Sequence, residues 1–188
     1  MNRNHYRIAL LTVATVLTAT PVFAKKGSQQ DVVAHYADLA QAIYVDSWQT
    51  GTQLQNTINA FLKTPTAKLL DTARGAWVAA RVPYQQSEVF RFGNKIVDDW
   101  EGRVNAWPLD EGLIDYVAAG KYTGNEENPY ANANIIAHAK VKIGATTVDT
   151  SKLTADTLRS LHEIDEIEAN VATGYHAVEF LLWGQDLN

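Results

Sequence analysis

The chain of 188 residues is long enough for one domain with a sizeable hydrophobic core. Its composition, 46% hydrophobic and 20% charged, is that of a globular protein and not of a disordered chain. The net charge is −5 and the basic residues form no run, which argues against a nucleic-acid-binding surface. The absence of cysteine excludes disulfides, thiolate metal sites and cysteine nucleophiles. Any metal must therefore be held by His, Asp, Glu or carbonyl oxygens.

The first 24 residues have the pattern of an export signal. Arg3 and Arg7 form a basic start, Ile8–Ala19 is an apolar run, and Val22-x-Ala24 is a small-x-small cleavage site. A membrane anchor is the alternative, but the apolar run is short for a bilayer and is interrupted by threonines. We expect residues 1–24 to be a signal peptide. Residues 25–188 are expected to form an exported domain in the periplasm, with no transmembrane span.

Two helices are predicted in the first half of the mature chain. Apolar residues over 31–63 repeat with a period near 3.6, which predicts one long helix with a weak point at Gly51. Pro65 ends that helix, and a second helix is predicted over 66–92. Pro83 removes a backbone donor inside the second helix, so we expect a bend there.

One face of the second predicted helix mixes charge with aromatic rings. Arg81 and Glu88 fall on the same face as Trp77 and Tyr84. In one interpretation this face is a solvated edge, and the Arg81 side chain lies along the aromatic rings. In the other it is a polar face inside a bundle, where a basic and an acidic group line a site. The sequence leaves both interpretations open.

The segment 92–117 is dense in acidic and aromatic residues. Glycines and a proline divide it into loops and a short helix, predicted over Leu109–Val117. Most of its acids are expected to be solvated. If a metal site needs a third oxygen ligand, the candidates are Glu88, Asp98, Asp99, Asp110 and Glu111.

The remaining segments complete a helical architecture. Residues 118–150 are predicted to be a long irregular surface connection with one short helix over 134–139, where His138 is a surface histidine. A helix is predicted over 153–171, with His162, Asp165 and Glu166 on its solvated face. No segment has the alternation of a strand. We therefore predict an all-α fold, a helical bundle of about four to six helices with a long irregular connection.

His176 and Glu179 are the only strongly polar residues in the apolar segment 175–183. On a helix, positions three apart are neighbours with Cβ atoms about 5–6 Å apart, so the two side chains can bind one ion or share a proton. A helix that is apolar nearly all round is expected to be buried, and a buried carboxylate needs a partner. The spacing leaves open a metal site, a catalytic pair and a structural hydrogen bond.

Three ordered segments resemble the imelysin family, also called peptidase family M75. They are Trp77-x-x-x-Arg81-x-Pro83-Tyr84-x-x-Ser87-Glu88, then Asn105-Ala106-Trp107-Pro108-Leu109-Asp110, and finally Gly174-x-His176-x-x-Glu179, which has the form of the family's GxHxxE signature. The family includes insulin-cleaving envelope proteins and iron-regulated envelope proteins. The resemblance implies an all-helical periplasmic or envelope protein linked to iron acquisition, with envelope iron-uptake components as partners.

The resemblance also implies roles for individual residues. His176 and Glu179 are the expected metal ligands or, in an enzyme, the catalytic pair, with Gly174 as a structural turn. Glu88 is the expected third ligand, and Arg81 and Asp110 are supporting or substrate-binding candidates. The expected cofactor is a metal ion, iron or zinc before other metals.

A metallopeptidase needs about three protein ligands, an open position for water and a general base. The HxxE pair supplies two groups, and the HExxH pattern of zinc peptidases is absent from the sequence. We therefore favour an exported metal-binding protein, with an M75-type metallopeptidase as the alternative. Family members continue into a second helical half, so we expect this chain to be a short form or a fragment. The closing helix would then lack its cover, and an exposed Phe180, Leu181 or Trp183 would favour pairing with another chain.

Overall fold

The computed structural model describes residues 27–118, 128–144 and 146–185. These residues form six α-helices and one antiparallel hairpin: α1 Gln29–Lys63, α2 Ala67–Gln86, α3 Lys95–Val104, α4 Glu111–Ile114, β1 Lys140–Ile143, β2 Thr146–Asp149, α5 Ala155–Leu161 and α6 Gly174–Trp183. The predicted all-α class is confirmed, because helices dominate the described part. The predicted signal peptide lies outside it. None of the described helices combines the length and the hydropathy that crossing a bilayer requires.

α1 and α2 pack together as a helical hairpin. Ser28 and Asp31 form a reciprocal capping box at the start of α1, and the Thr66 hydroxyl accepts from the Leu69 N–H at the start of α2. α1 runs without interruption through Gly51, and α2 continues through Pro83. The second helix ends earlier than predicted, because the backbone tightens into a 3₁₀ turn over Ser87–Phe90.

α6 packs against α2, α3 and α4. Two α2 side chains donate to its backbone: Arg74 Nε to the Leu182 carbonyl at 2.9 Å and Trp77 Nε1 to the Tyr175 carbonyl at 2.9 Å. Of the three apolar residues expected to be candidates for exposure, Phe180 is buried in the core beneath α6. Leu181 and Trp183 on the same helix are exposed.

The region between α4 and α5 corrects two predictions. Residues 134–139 are not helical, and the next residues form the β1–β2 hairpin instead of irregular chain. Nor is this a surface excursion, because Val141 and Ile143 of β1 join a buried cluster with Ile135 and Leu113. In β1 the lysines face outward and the valine and isoleucine face inward. This alternation covers only four residues, which is too short for a strand to be recognised in the sequence.

The helix predicted over 153–171 ends at Leu161. Glu163, Asp165 and Glu166 then adopt left-handed backbone conformations, which helices exclude. The cause is Asn170, which is fully buried: its amide donates to the Ile164 carbonyl at 3.1 Å, and its backbone carbonyl accepts from the Glu163 N–H at 2.8 Å. These contacts replace the helical hydrogen bonds that the local sequence favours. The fourth helix is likewise shorter than the predicted span 109–117.

Candidate functional site

Gly174 fixes where α6 begins. Its φ of +91° lies in the left-handed region, where side chains other than glycine are strained. A Cβ atom there would also meet the carbonyl oxygen of Val104 at 2.6 Å. The absence of a side chain therefore allows the start of α6 to press against the end of α3, as expected for the structural glycine of the motif.

His176 and Glu179 lie together on the first turns of α6, as their spacing predicts. His176 Nδ1 and Glu179 Oε2 are 3.1 Å apart, and the two side chains are 19% and 43% exposed. Because a carboxylate can only accept, the shared proton lies on Nδ1. A neutral ring then carries its lone pair on Nε2, which makes no hydrogen bond to a described residue. This is a carboxylate-oriented histidine with one nitrogen available.

Trp107 covers one side of the His176 ring. The two ring centroids are 4.9 Å apart, and the rings are inclined at 55°. Trp107 itself is 70% exposed and precedes a cis peptide bond to Pro108. The imidazole is therefore held by Glu179 at one nitrogen and by an aromatic contact, and the pair lies near the protein surface.

The described residues contain no group of three or more His, Asp or Glu side chains placed to hold a metal ion. Glu88 lies in the 3₁₀ turn and is exposed, and the structure does not group it with His176 and Glu179. Two of the other oxygen candidates are ion-paired at the surface: Asp98 with Arg91 and Asp99 with Lys95, each at 2.7 Å. The pair therefore fits a metal site only in part, as one or two ligands of a larger set.

Asp110 has a structural place. Its carboxylate accepts a hydrogen bond from the Asn128 amide, which also donates to the buried Asn170 side chain at 3.0 Å. Its backbone N–H donates to the Ala169 carbonyl at 2.9 Å. Asp110 thus connects the start of α4 to the segment that leads into α6.

Arg81 lies among aromatic rings between α2 and α6. Its guanidinium is 5.1 Å from the ring centre of Tyr175, 5.4 Å from Tyr84 and 5.7 Å from Trp77. It also donates to the Asn105 side chain at the end of α3. The Arg81 side chain therefore lies along aromatic rings, as one of the two interpretations of the sequence predicted. It does so between two helices and not on a solvated edge. Each such cation–π contact contributes about 0.5–2 kcal/mol.

Burial at this junction changes the acidity of two tyrosines. It raises the pKa of Tyr84 to about 12, and the nearby Glu101 carboxylate adds to the effect. It also raises the pKa of Tyr175, while the Arg81 charge opposes the change. Both phenols therefore stay neutral beside the arginine at ordinary pH.

The sequence missed His162. Its side chain is only 6% exposed, although it was assigned to a solvated helical face. Nε2 donates to the Gly102 carbonyl at 2.7 Å, and Nδ1 accepts from the Ala172 N–H at 3.2 Å. Helical periodicity cannot reveal this role, because one partner lies 60 residues earlier in the chain. His138, in contrast, is exposed as predicted.

The fold and the pair define a helical protein built around a glycine-positioned HxxE motif. A family model described as imelysin, peptidase M75, matches residues 40–188. The chain therefore belongs to the imelysin family, which confirms the resemblance. It is also similar to iron-regulated protein A of Synechococcus elongatus, with 28% identity over 116 residues. The match covers 62% of this chain and only 33% of that relative.

Proposed function

We propose that this protein is an exported metal-binding protein linked to iron acquisition, with His176 and Glu179 as its metal site. The observation that carries the proposal is the orientation of the imidazole by Glu179, which leaves Nε2 free to bind an ion. Histidine ligands are commonly held in this way by a carboxylate on the other ring nitrogen. The similarity to a protein named for iron regulation supports iron as the context. Family membership supports a location outside the cytoplasm.

The proposed site is incomplete within the described residues. Imidazole and carboxylate ligands suit iron, zinc and copper, so ligand type alone does not select the metal. Two groups hold an ion weakly unless water or further ligands complete its coordination. We propose that those further ligands come from outside the described residues, with Glu179 either binding the ion or keeping the His176 ring in place.

An M75-type metallopeptidase is the second candidate. A histidine oriented by a carboxylate can move a proton, which is the chemistry that hydrolysis needs. The described residues offer little else for it: Ser87 Oγ donates to the Tyr84 carbonyl at 2.6 Å, so this hydroxyl is already engaged. Hydrolysis therefore rests on the family name more than on the residues.

The test is metal titration of the purified protein, free of any histidine tag, by calorimetry with iron, zinc and copper. We expect the unchanged protein to bind a single ion and His176→Ala to lose that binding. We expect Glu179→Gln to bind about 10–100-fold more weakly, the usual loss when a supporting carboxylate is removed. His138→Ala is the matched control, because the His138 side chain is exposed and its ring contacts the Ala133 carbonyl at 2.9 Å, away from the pair.

Circular dichroism establishes that each variant is folded. Failure of the folded protein to bind any of the three metals, or equal binding by the His176 and His138 variants, would contradict the metal site. Turnover of a peptide library by the metal-loaded protein, abolished by His176→Ala, would favour the peptidase over a binding protein.

A further inference from the structure

A second concave site lies between α1, the 3₁₀ turn, α3 and the start of α6. The cleft has a volume of about 360 Å³, and neither His176 nor Glu179 lines it. Ligand pockets range from about 300 to 1,000 Å³ and are mostly apolar with a few polar groups, so this cleft has the size and character for a small molecule. Its walls include Tyr44, Trp48, Tyr84 and Trp100.

The charges at the cleft favour a cation. Arg91 lines it, but its guanidinium is committed to Asp98 at 2.7 Å and to Glu101 at 3.1 Å. The hydrogen bond to Asp98, together with the charges of Glu101, Asp98 and Glu88, raises the pKa of Arg91. The Glu88 side chain also lines the cleft and makes no hydrogen bond or ion pair with a described residue. Three carboxylates therefore share the charge of Arg91, and Glu88 is the one that the guanidinium does not bind directly.

The aromatic walls suit the same kind of ligand. Trp48 and Trp100 are 71% and 62% exposed, although large aromatic side chains usually bury most of their surface. Indole rings attract cations through their faces and pack against flat apolar groups. Two exposed indoles and the Glu88 carboxylate in one cleft suit a ligand that carries a positive charge on an aromatic ring.

Tyr44 adds an uncharged aromatic ring to the wall of the cleft. Its hydroxyl is buried and has no hydrogen-bond partner among the described residues, so a ligand in the cleft would meet the ring and not the oxygen. Burial raises the pKa of this phenol, so Tyr44 adds no charge to the cleft.

We propose that the cleft binds a small aromatic amine, with its ammonium group at Glu88 and its ring against the indoles of Trp48 and Trp100. This site is separate from the metal pair and does not depend on the function proposed for it. Recognition needs one positive charge and one aromatic ring.

The probe is tyramine, which carries both features, titrated into the full protein by calorimetry. Tyrosol lacks the charge, and 4-hydroxyphenylpropionate has the opposite charge. We expect tyramine to bind most tightly and the carboxylate to bind least. Glu88→Gln is expected to weaken tyramine about tenfold, as for loss of a charge-assisted hydrogen bond at an open site.

Two further variants make the test specific. Trp48→Ala removes an exposed indole from the wall of the cleft and is expected to weaken tyramine binding. Glu168→Gln removes an exposed carboxylate elsewhere and is the matched control. Absence of saturable binding, equal affinity for tyrosol and tyramine, or equal effects of the Glu88 and Glu168 variants would overturn the proposal. The His176→Ala variant is expected to bind tyramine as the unchanged protein does. Tyramine binding and metal binding can therefore succeed or fail independently.

Discussion

Glycine at position 174 satisfies two physical requirements at once. The backbone there is left-handed, and the carbonyl of Val104 occupies the space where a side chain would begin. His176 follows two residues later, so the direction of its imidazole depends on this close approach. The spacing in the sequence predicted that His176 and Glu179 would be neighbours on one helix, and the two side chains lie 3.1 Å apart. It could not reveal Trp107 beside His176, because nothing in the local pattern of either segment indicates that they meet.

Gly174→Ala tests this dependence. We expect it to lower the free energy of unfolding by about 2–4 kcal/mol, because backbone strain and overlap with the Val104 carbonyl add together. The measurement is urea denaturation followed by circular dichroism.

Gly51→Ala is the control for Gly174→Ala. Gly51 lies inside α1, and a Cβ there meets nothing within 4 Å. We expect that change to raise stability by about 0.5–1 kcal/mol. Equal effects of the two substitutions would show that the contact at Gly174 is unimportant.

Among the elements, the junction of α2 and α6 shows what periodicity can and cannot predict. Both helices were predicted from their apolar spacing, and Arg81 was placed on the face that carries Trp77 and Tyr84. Helical spacing says which side chains share a face but not which neighbour covers it. The contact with Tyr175 therefore had to come from the structure, as did the burial that raises the pKa of Tyr84 to about 12.

This pKa predicts a loss of stability at high pH. The folded state keeps the Tyr84 proton to about pH 12, whereas an unfolded tyrosine loses it near pH 10. Between these values the unfolded state binds fewer protons, so the free energy of unfolding falls as pH rises. We expect Tyr84→Phe to reduce that fall, measured from urea midpoints at about pH 8 and about pH 11. Tyr116→Phe, at an exposed position, is the control. Identical pH dependence in all three proteins would be evidence against the prediction.

At the scale of the whole molecule, prediction succeeded where structure is set by neighbours in sequence. α1 and α2 begin at caps and repeat apolar residues over several turns. The middle of the chain failed because its structure depends on distant partners: Asn170 ends the helix that the sequence favours, and β1 is buried by Leu113 and Ile135. The same long-range packing turned a predicted surface histidine, His162, into a buried connection between α3 and the segment before α6.

His162→Ala is expected to lower the free energy of unfolding by about 2–4 kcal/mol, since it removes two hydrogen bonds and leaves space in a buried position. Thermal unfolding of this variant and of His138→Ala makes the comparison, and the exposed His138 is expected to change stability by less than about 0.5 kcal/mol. Similar unfolding temperatures for the two variants would show that the buried contacts of His162 do not contribute to stability.

The indole of Trp107 lies 4.9 Å from the imidazole of His176, ring centre to ring centre. Excited indoles lose energy to paramagnetic ions and to protonated imidazoles at such short range. The protein therefore has a built-in optical reporter beside the pair. Events at His176 should appear in the emission of Trp107 without any attached dye.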